Sequence, residues 1–403
     1  MTKKVVIIGG GVIGMSTAFH LAEKGMTDIS IIEKDYIGSG SSSQAAGIVT
    51  CHQWNSTSIT ARIKTLDIFE KFSKILDGYT FQQVGCLNLS NEEDYNLGSE
   101  LRDLQDSLGA FSETYIGNQL TEKFPDVILK DNEYGVLDPR GGFSEPHFYV
   151  PALKNKIKKM GVKIHENEEL INFNFQGENI KEVITFSKNE ILEKKYNCDY
   201  LVIAVNAWTN LALSPIDFKI PMKNFIHERF VTKPFDRKLK LPAINDRVFQ
   251  SYVRGTEDNR IMVGTTQHNP DNYSVENNNF NIKELKPFPN ALEFLKDSLK
   301  DRIPIIQNKD WDYHTVGLIS VTADATPVIG PIPNMNGVFL CSNFHSGGFA
   351  YNPVAGMLIS EHILEGKTTI DSDAYLPNRF EGFKTKEYLS KTHKLEDLEI
   401  KRH

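Results

Sequence analysis

Residues 4–33 read KVVIIGGGVIGMSTAFHLAEKGMTDISIIE. Residues 5–8 are apolar without alternation, as in a parallel strand covered on both faces. Gly9, Gly11 and Gly14 follow in G-x-G-x-x-G spacing. The first permits a tight turn, the second lets backbone approach a pyrophosphate, and the third lets the helix lie close to the strand. The amides that open this helix, at Val12 and Ile13, then face the phosphates with the positive end of the dipole. Gly25 stops the helix and residues 29–32 form the next strand. Glu33 follows Gly14 by 19 residues, where an acid accepts hydrogen bonds from an adenosine ribose, and Lys34 stands beside it. Strand, turn, helix, strand and acid in register predict a dinucleotide site.

A chain of 403 residues suggests two domains. A net charge of −7 without a basic cluster excludes a nucleic-acid footing and favours small-molecule chemistry. No apolar run approaches a membrane span. Cys51, Cys86, Cys198 and Cys341 are scattered without metal or disulfide spacing, so neither a metal site nor a cystine framework is expected. A cytoplasmic location is the default expectation.

After Glu33, Ser41, Ser42 and Ser43 lie in a loop that leaves the second strand and runs over a bound dinucleotide, where small hydroxyls suit phosphate oxygens. Residues 59–75 repeat apolar side chains at helical spacing, and Arg62 lies off that stripe, as a solvated arginine would. Residues 85–144 and 221–313 read as excursions into a second domain, returning to the first sheet at 145–220 and 314–370. The segments 247–254 and 260–265 form an expected hairpin. Residues 276–281 read as a polar loop without chemistry. A helix is expected over 353–364, with Asn352 as N-cap, Pro353 at N1 and Gly366 as C′. Residues 371–403 read as a polar surface tail with a short helical piece.

The Gly9, Gly11, Gly14 and Glu33 set, the serines leading to Ala45-Ala46-Gly47, the stretch from Ala204 through Asn206 to Trp208, Gly317-Leu318, Thr322 to Gly330, and Gly347-Gly348-Phe349 occur in one order. Together they resemble the D-amino-acid oxidase superfamily, and within it the glycine oxidase, sarcosine oxidase and dimethylglycine dehydrogenase branch. The resemblance implies an α/β fold: a Rossmann-type, glutathione-reductase-like FAD-binding domain beside an α+β substrate domain on a mostly antiparallel sheet. It also implies FAD, a small amine or amino-acid substrate oxidised to an imine at flavin N5, and oxygen, a quinone or a partner protein as electron acceptor. An oligomer or a partner subunit fits the same branch.

Three positions depart from the pattern. Ala350 stands where sarcosine oxidases carry lysine, Ile319 where glycine oxidases carry arginine, and Asn206 where a glycine is usual. The two basic residues serve a substrate carboxylate in those relatives, so another residue must do so here. No cysteine lies near Gly317, so noncovalent FAD is expected. Tyr252 and Arg254, two apart on one strand face, are candidates for the substrate amine and carboxylate. His345, in the turn beside the flavin edge, is a third, with Arg62 and His52 behind. Alternative readings are a hydroxy-acid or glycerol-phosphate dehydrogenase and a non-catalytic flavin subunit. An NAD dehydrogenase rests on the first motif alone.

Overall fold

The computed structural model describes residues 3–265, 273–275, 277 and 279–392. Its first sheet has six strands, in the order Val328–Pro331, Val338–Ser342, Tyr200–Ile203, Lys4–Ile8, Asp28–Glu33 and Lys163–Glu166. All neighbours are parallel except the first pair. The central strand explains its own lack of alternation. Val5 and Ile7 pack with the helical layer, whereas Val6 and Ile8 pack with Phe173, Ile180 and Val183 of an antiparallel three-stranded meander on the opposite face.

Three helices, Val12–Glu23, Ser56–Ile75 and Gly348–Glu365, form the first of these layers. They come close because Gly356 has no side chain. A Cβ there would lie 2.5 Å from the carbonyl carbon of Ser16 and 2.6 Å from the Thr17 amide.

The last of these helices begins five residues before the expected start, at Gly348. Pro353 lies inside it and cannot donate to the carbonyl of Phe349, four residues back. The Asn352 side chain fills the gap, its Nδ2 donating to Phe349 O while its Oδ1 accepts from the Tyr149 hydroxyl. Asn352 is therefore a buried repair of the helix interior rather than its cap. Gly366, at φ 70°, ends the helix as expected.

The second large sheet has eight strands, in the order Trp311–Thr322, Met222–Thr232, Ile261–Thr265, Ser251–Gly255, Ala243–Asp246, Cys86–Asn91, Glu133–Asp138 and Glu113–Ile116. Only the Ala243–Asp246 and Cys86–Asn91 pair is parallel. The boundary expected at residue 314 falls inside its longest strand, which continues to Thr322 because eleven registered pairs hold it to Met222–Thr232. The helix Ala291–Leu299 closes a separate core on this sheet.

Two further expectations change. Residues 371–392 are no loose tail: Tyr375 is fully buried, Arg379 bonds Asp324, and the Lys223 ammonium donates to the carbonyls of Leu389 and Lys391. The rest of that segment, 393–403, lies outside the described residues. Arg62 is not solvated; it is 1% exposed, covered by the Tyr351 ring at 4.8 Å.

Forcing a methyl group into the helix crossing overpacks two backbones that cannot rotate away. Gly356→Ala should lower stability by about 3 kcal/mol. Urea unfolding of the two proteins checks this, and coincident midpoints would refute it.

Candidate active site

A continuous cavity of ≈ 1670 Å³ runs from the Gly9 turn to the face of the eight-stranded sheet. That exceeds the roughly 300–1,000 Å³ of a site for one small ligand, and suits an extended ligand with a second molecule beside it. At one end the turn is held by contacts only glycine allows. A Cβ on Gly9, whose φ is 109°, would stand 2.3 Å from Ala204 O, and one on Gly14 would stand 2.0 Å from Gly9 O. Gly9, Gly11, Val12 and Ile13 border the cavity, while Gly14 backs the turn from behind.

Glu33 borders the cavity too, but its carboxylate is tied to the turn. Oε2 accepts from the Gly10 amide at 2.8 Å, and Oε1 from the Asp35 amide at 3.0 Å. Burial pushes this carboxyl up, against the two amides that favour its charge. The serine loop divides its labour. Ser42 Oγ accepts from the Val12 amide at 3.0 Å, Ser41 Oγ donates to Leu318 O at 2.7 Å, and Ser43 turns away to Gly38 O. Ser41 and Ser42 border the cavity and Ser43 does not.

Lys34 lies 4.6 Å over the Trp208 ring and donates to Phe280 O. Trp208 borders the cavity, while its Nε1 is buried and unbonded among the described residues. Ala204, Asn206 at φ 44°, Ala46 and Gly47 complete this end. Gly317, in the strand Trp311–Thr322, lies near the Gln44 side chain. Gly347, Gly348 and Phe349 bring the start of an 18-residue helix to the cavity, so its positive pole meets whatever is bound. His345, at φ 58°, borders the same corner, its amide bonded to Ser320 O and its Nδ1 2.8 Å from Ser346 Oγ.

Tyr252 and Arg254 share a strand face, yet only Tyr252 borders the cavity. Its hydroxyl donates to Glu228 O at 2.7 Å, and burial keeps it protonated. Arg254 is corrected as a carboxylate-binding candidate because its fork is filled. Nη1 and Nη2 bond the two Glu145 oxygens at 2.8 and 2.9 Å, Nε donates to Ala46 O, and Nη1 also reaches Gly255 O. The Glu145 carboxylate is 4% exposed; burial opposes its charge, but the Arg254 charge and hydrogen bonds outweigh that and hold it below the usual range.

Arg62, a trailing candidate in the sequence, borders the cavity, and so do Thr50, His227 and Arg247, which carried no sequence signal, and Phe280 of the loop read as empty of chemistry. Residues 276 and 278 of that loop lie outside the described set. His52 stays off the wall, bonded through its ring to Asn88 and to Phe111 O. It joins Cys51 and Asp138 in a trio whose ligand atoms lie within 4.8 Å. The Asp138 carboxylate there already accepts from Thr50, Cys51, Arg140 and Gly141, which ties residues 50–51 to 138–141.

The chain matches the FAD dependent oxidoreductase family over residues 4–362 and belongs to it. The residues present fit that cofactor: a glycine turn without room for Cβ atoms and a helix start border one long cavity. FAD is therefore the cofactor of this protein. Among relatives, 4-methylaminobutanoate oxidase (formaldehyde-forming) of Paenarthrobacter nicotinovorans is 25% identical over 94% of this chain and 46% of its own length. The sarcosine oxidase subunit beta of Rhodobacter capsulatus is 20% identical over 94% of this chain and 89% of its own. The chain thus spans about half of the former and most of the latter. The crystal structure of L-proline dehydrogenase from P. horikoshii superposes with a TM-score of 0.85, at 25% identity, covering 94% of this chain and 98% of that one.

Removing the charge of Glu145 leaves a fully buried guanidinium half paired. Glu145→Gln should cost about 3 kcal/mol at pH 7. Because the folded carboxyl titrates below its unfolded value of about 4.3, its contribution is complete above that pH and lost as pH falls further. The gap between wild type and variant in urea midpoint should therefore shrink at pH 3, and a constant gap would contradict the assignment.

Proposed function

We propose that this protein oxidises the C–N bond of a secondary or N-methylated amine or amino acid to an imine, which water then hydrolyses. The observation that carries the reading is the single cavity joining a dinucleotide turn, a helix start and an independent sheet wall. Bound FAD would supply the two-electron acceptor. The names of the three relatives support the substrate class, since methylaminobutanoate, sarcosine and proline are all secondary amines.

The chain's own groups suit that chemistry. The Tyr252 proton is engaged by Glu228 O, so in the cavity its oxygen serves as an acceptor, as an amine N–H requires. The helix starting at Gly348 offers its N-terminal pole to an acceptor that gains negative charge on reduction. Noncovalent attachment is part of the proposal. Cys341 borders the cavity, but its thiol is directed at Ala355 O and burial keeps it protonated. No helix among the described residues is long and apolar enough to cross a membrane, and a cytoplasmic site of action belongs to the proposal. Assembly with a partner chain is proposed from the subunit name of the relative of similar length.

Anaerobic mixing of the FAD-loaded protein with sarcosine, 4-methylaminobutanoate and proline should bleach the flavin band. Lactate and glycerol 3-phosphate should leave it unchanged. Bleaching by the hydroxy compounds alone would overturn the reading in favour of a hydroxy-acid or glycerol-phosphate dehydrogenase.

A further inference from the structure

Arg62 is a cation without an anion. Its Nε donates to Thr50 O at 3.0 Å, its Nη1 is buried without a hydrogen-bond partner, and among the described residues no carboxylate lies within ion-pair distance. The titratable groups around it are Tyr351, Cys51, Cys86 and Tyr375, and burial pushes both thiols and the Tyr375 hydroxyl up, so these three stay neutral. A guanidinium stays protonated even when buried. A charge at 1% exposure with no counter-ion is unfavourable unless something else supplies one.

Arg62 borders the cavity, as do Ala350 and Ile319. Other cations on that wall are already accommodated. Lys34 and Lys283 lie over the Trp208 and Tyr36 rings at the dinucleotide end. Arg247 is exposed as a residue and stacked 4.4 Å from the Trp54 ring, although burial of its guanidinium pushes its pKa down.

We infer that Arg62 is the anion-binding residue of this cavity, and that it selects amines bearing a carboxylate. The inference rests on the oxidation proposed above and deepens it by naming the substrate class. The Tyr351 ring beneath the guanidinium and the Thr50 carbonyl at Nε fix its plane. With Nε on Thr50 O and Nη1 buried, Nη2 is left for a charge-assisted contact with a carboxylate.

The test is a spectral titration of the oxidised, FAD-loaded protein with 2-furoate and its neutral isostere 2-furamide, neither of which is an amine substrate. Wild type should bind furoate more tightly than furamide. Arg62→Met should weaken furoate by roughly 30-fold or more and leave furamide unchanged, with Arg62→Lys in between. Equal furoate affinity in wild type and Arg62→Met overturns the inference. So does a Met variant that keeps furoate but loses sulfite affinity at the flavin, since the guanidinium would then serve the cofactor. If Arg62→Met fails to retain FAD, the wild-type preference and the Lys variant decide, and a wild type indifferent to furoate against furamide refutes it. Bleaching by amines is read on the same samples. Its failure, with the furoate selectivity intact, would sink the proposed reaction and leave the anion site standing.

Discussion

Arg254 leaves the eight-stranded sheet and places four hydrogen bonds inside the protein, three of them on groups outside that sheet. Ala46 O belongs to the end of the serine loop, and Glu145 to the residue that starts the helix Pro146–Lys159. The Phe143 ring covers the guanidinium at 4.5 Å. Neither partner of the ion pair would be tolerated here alone, since an unpaired buried charge costs several times what the pair contributes. The pair therefore dictates where one sheet stands relative to the loop that lies over the cofactor. The cavity between them inherits its width from this clasp.

Arg302 follows the same rule deeper in the large sheet, where its guanidinium bonds Asp246 and Glu133 from two different strands. Asp246 also accepts from the Phe249 amide and so shapes the turn that carries Arg247 and Gln250 to the cavity. Buried arginines in this protein thus act as geometry-setting groups. Arg254 and Arg302 are each matched by carboxylates from distant parts of the chain, whereas Arg229 is held by Thr315, Met262 and the Ser43 carbonyl. Arg62, which has a carbonyl partner in Thr50 but no carboxylate among the described residues, stands apart from Arg254 and Arg302.

The dinucleotide end was legible in the sequence because its physics is local. Gly9, Gly11, Gly14, Val12 and Glu33 lie within one strand-turn-helix-strand unit, and their spacing encodes their geometry. Gly317 and the Gly347 turn were placed through resemblance, and they do reach the same cavity. The substrate wall was not legible. Whether Tyr252 or Arg254 faces the cavity depends on Glu145, which lies 109 residues from Arg254 in sequence, and no periodicity reports such a partner. Arg62 was misread for the same reason: its cover, Tyr351, comes from a helix near the other end of the chain. The helix start at 348 was missed because Pro353 obeys a local rule that the Asn352 side chain overrides.

This division between local and long-range determinants has a consequence for specificity. The cofactor turn leaves almost no freedom, since a Cβ on Gly9 or Gly14 would strike backbone oxygen. The opposite wall is assembled from strand faces and loops, at His227, Arg247 and Phe280, with Tyr252 packed against Gly264. A cation can therefore move from one wall position to another while the electron-accepting end stays fixed. Ala350 and Ile319 are apolar where relatives in the resembled branch are basic, and the buried charge of Arg62 enters the cavity from a separate helix. On the inference drawn for Arg62, the carboxylate-binding function is relocated to that helix rather than lost.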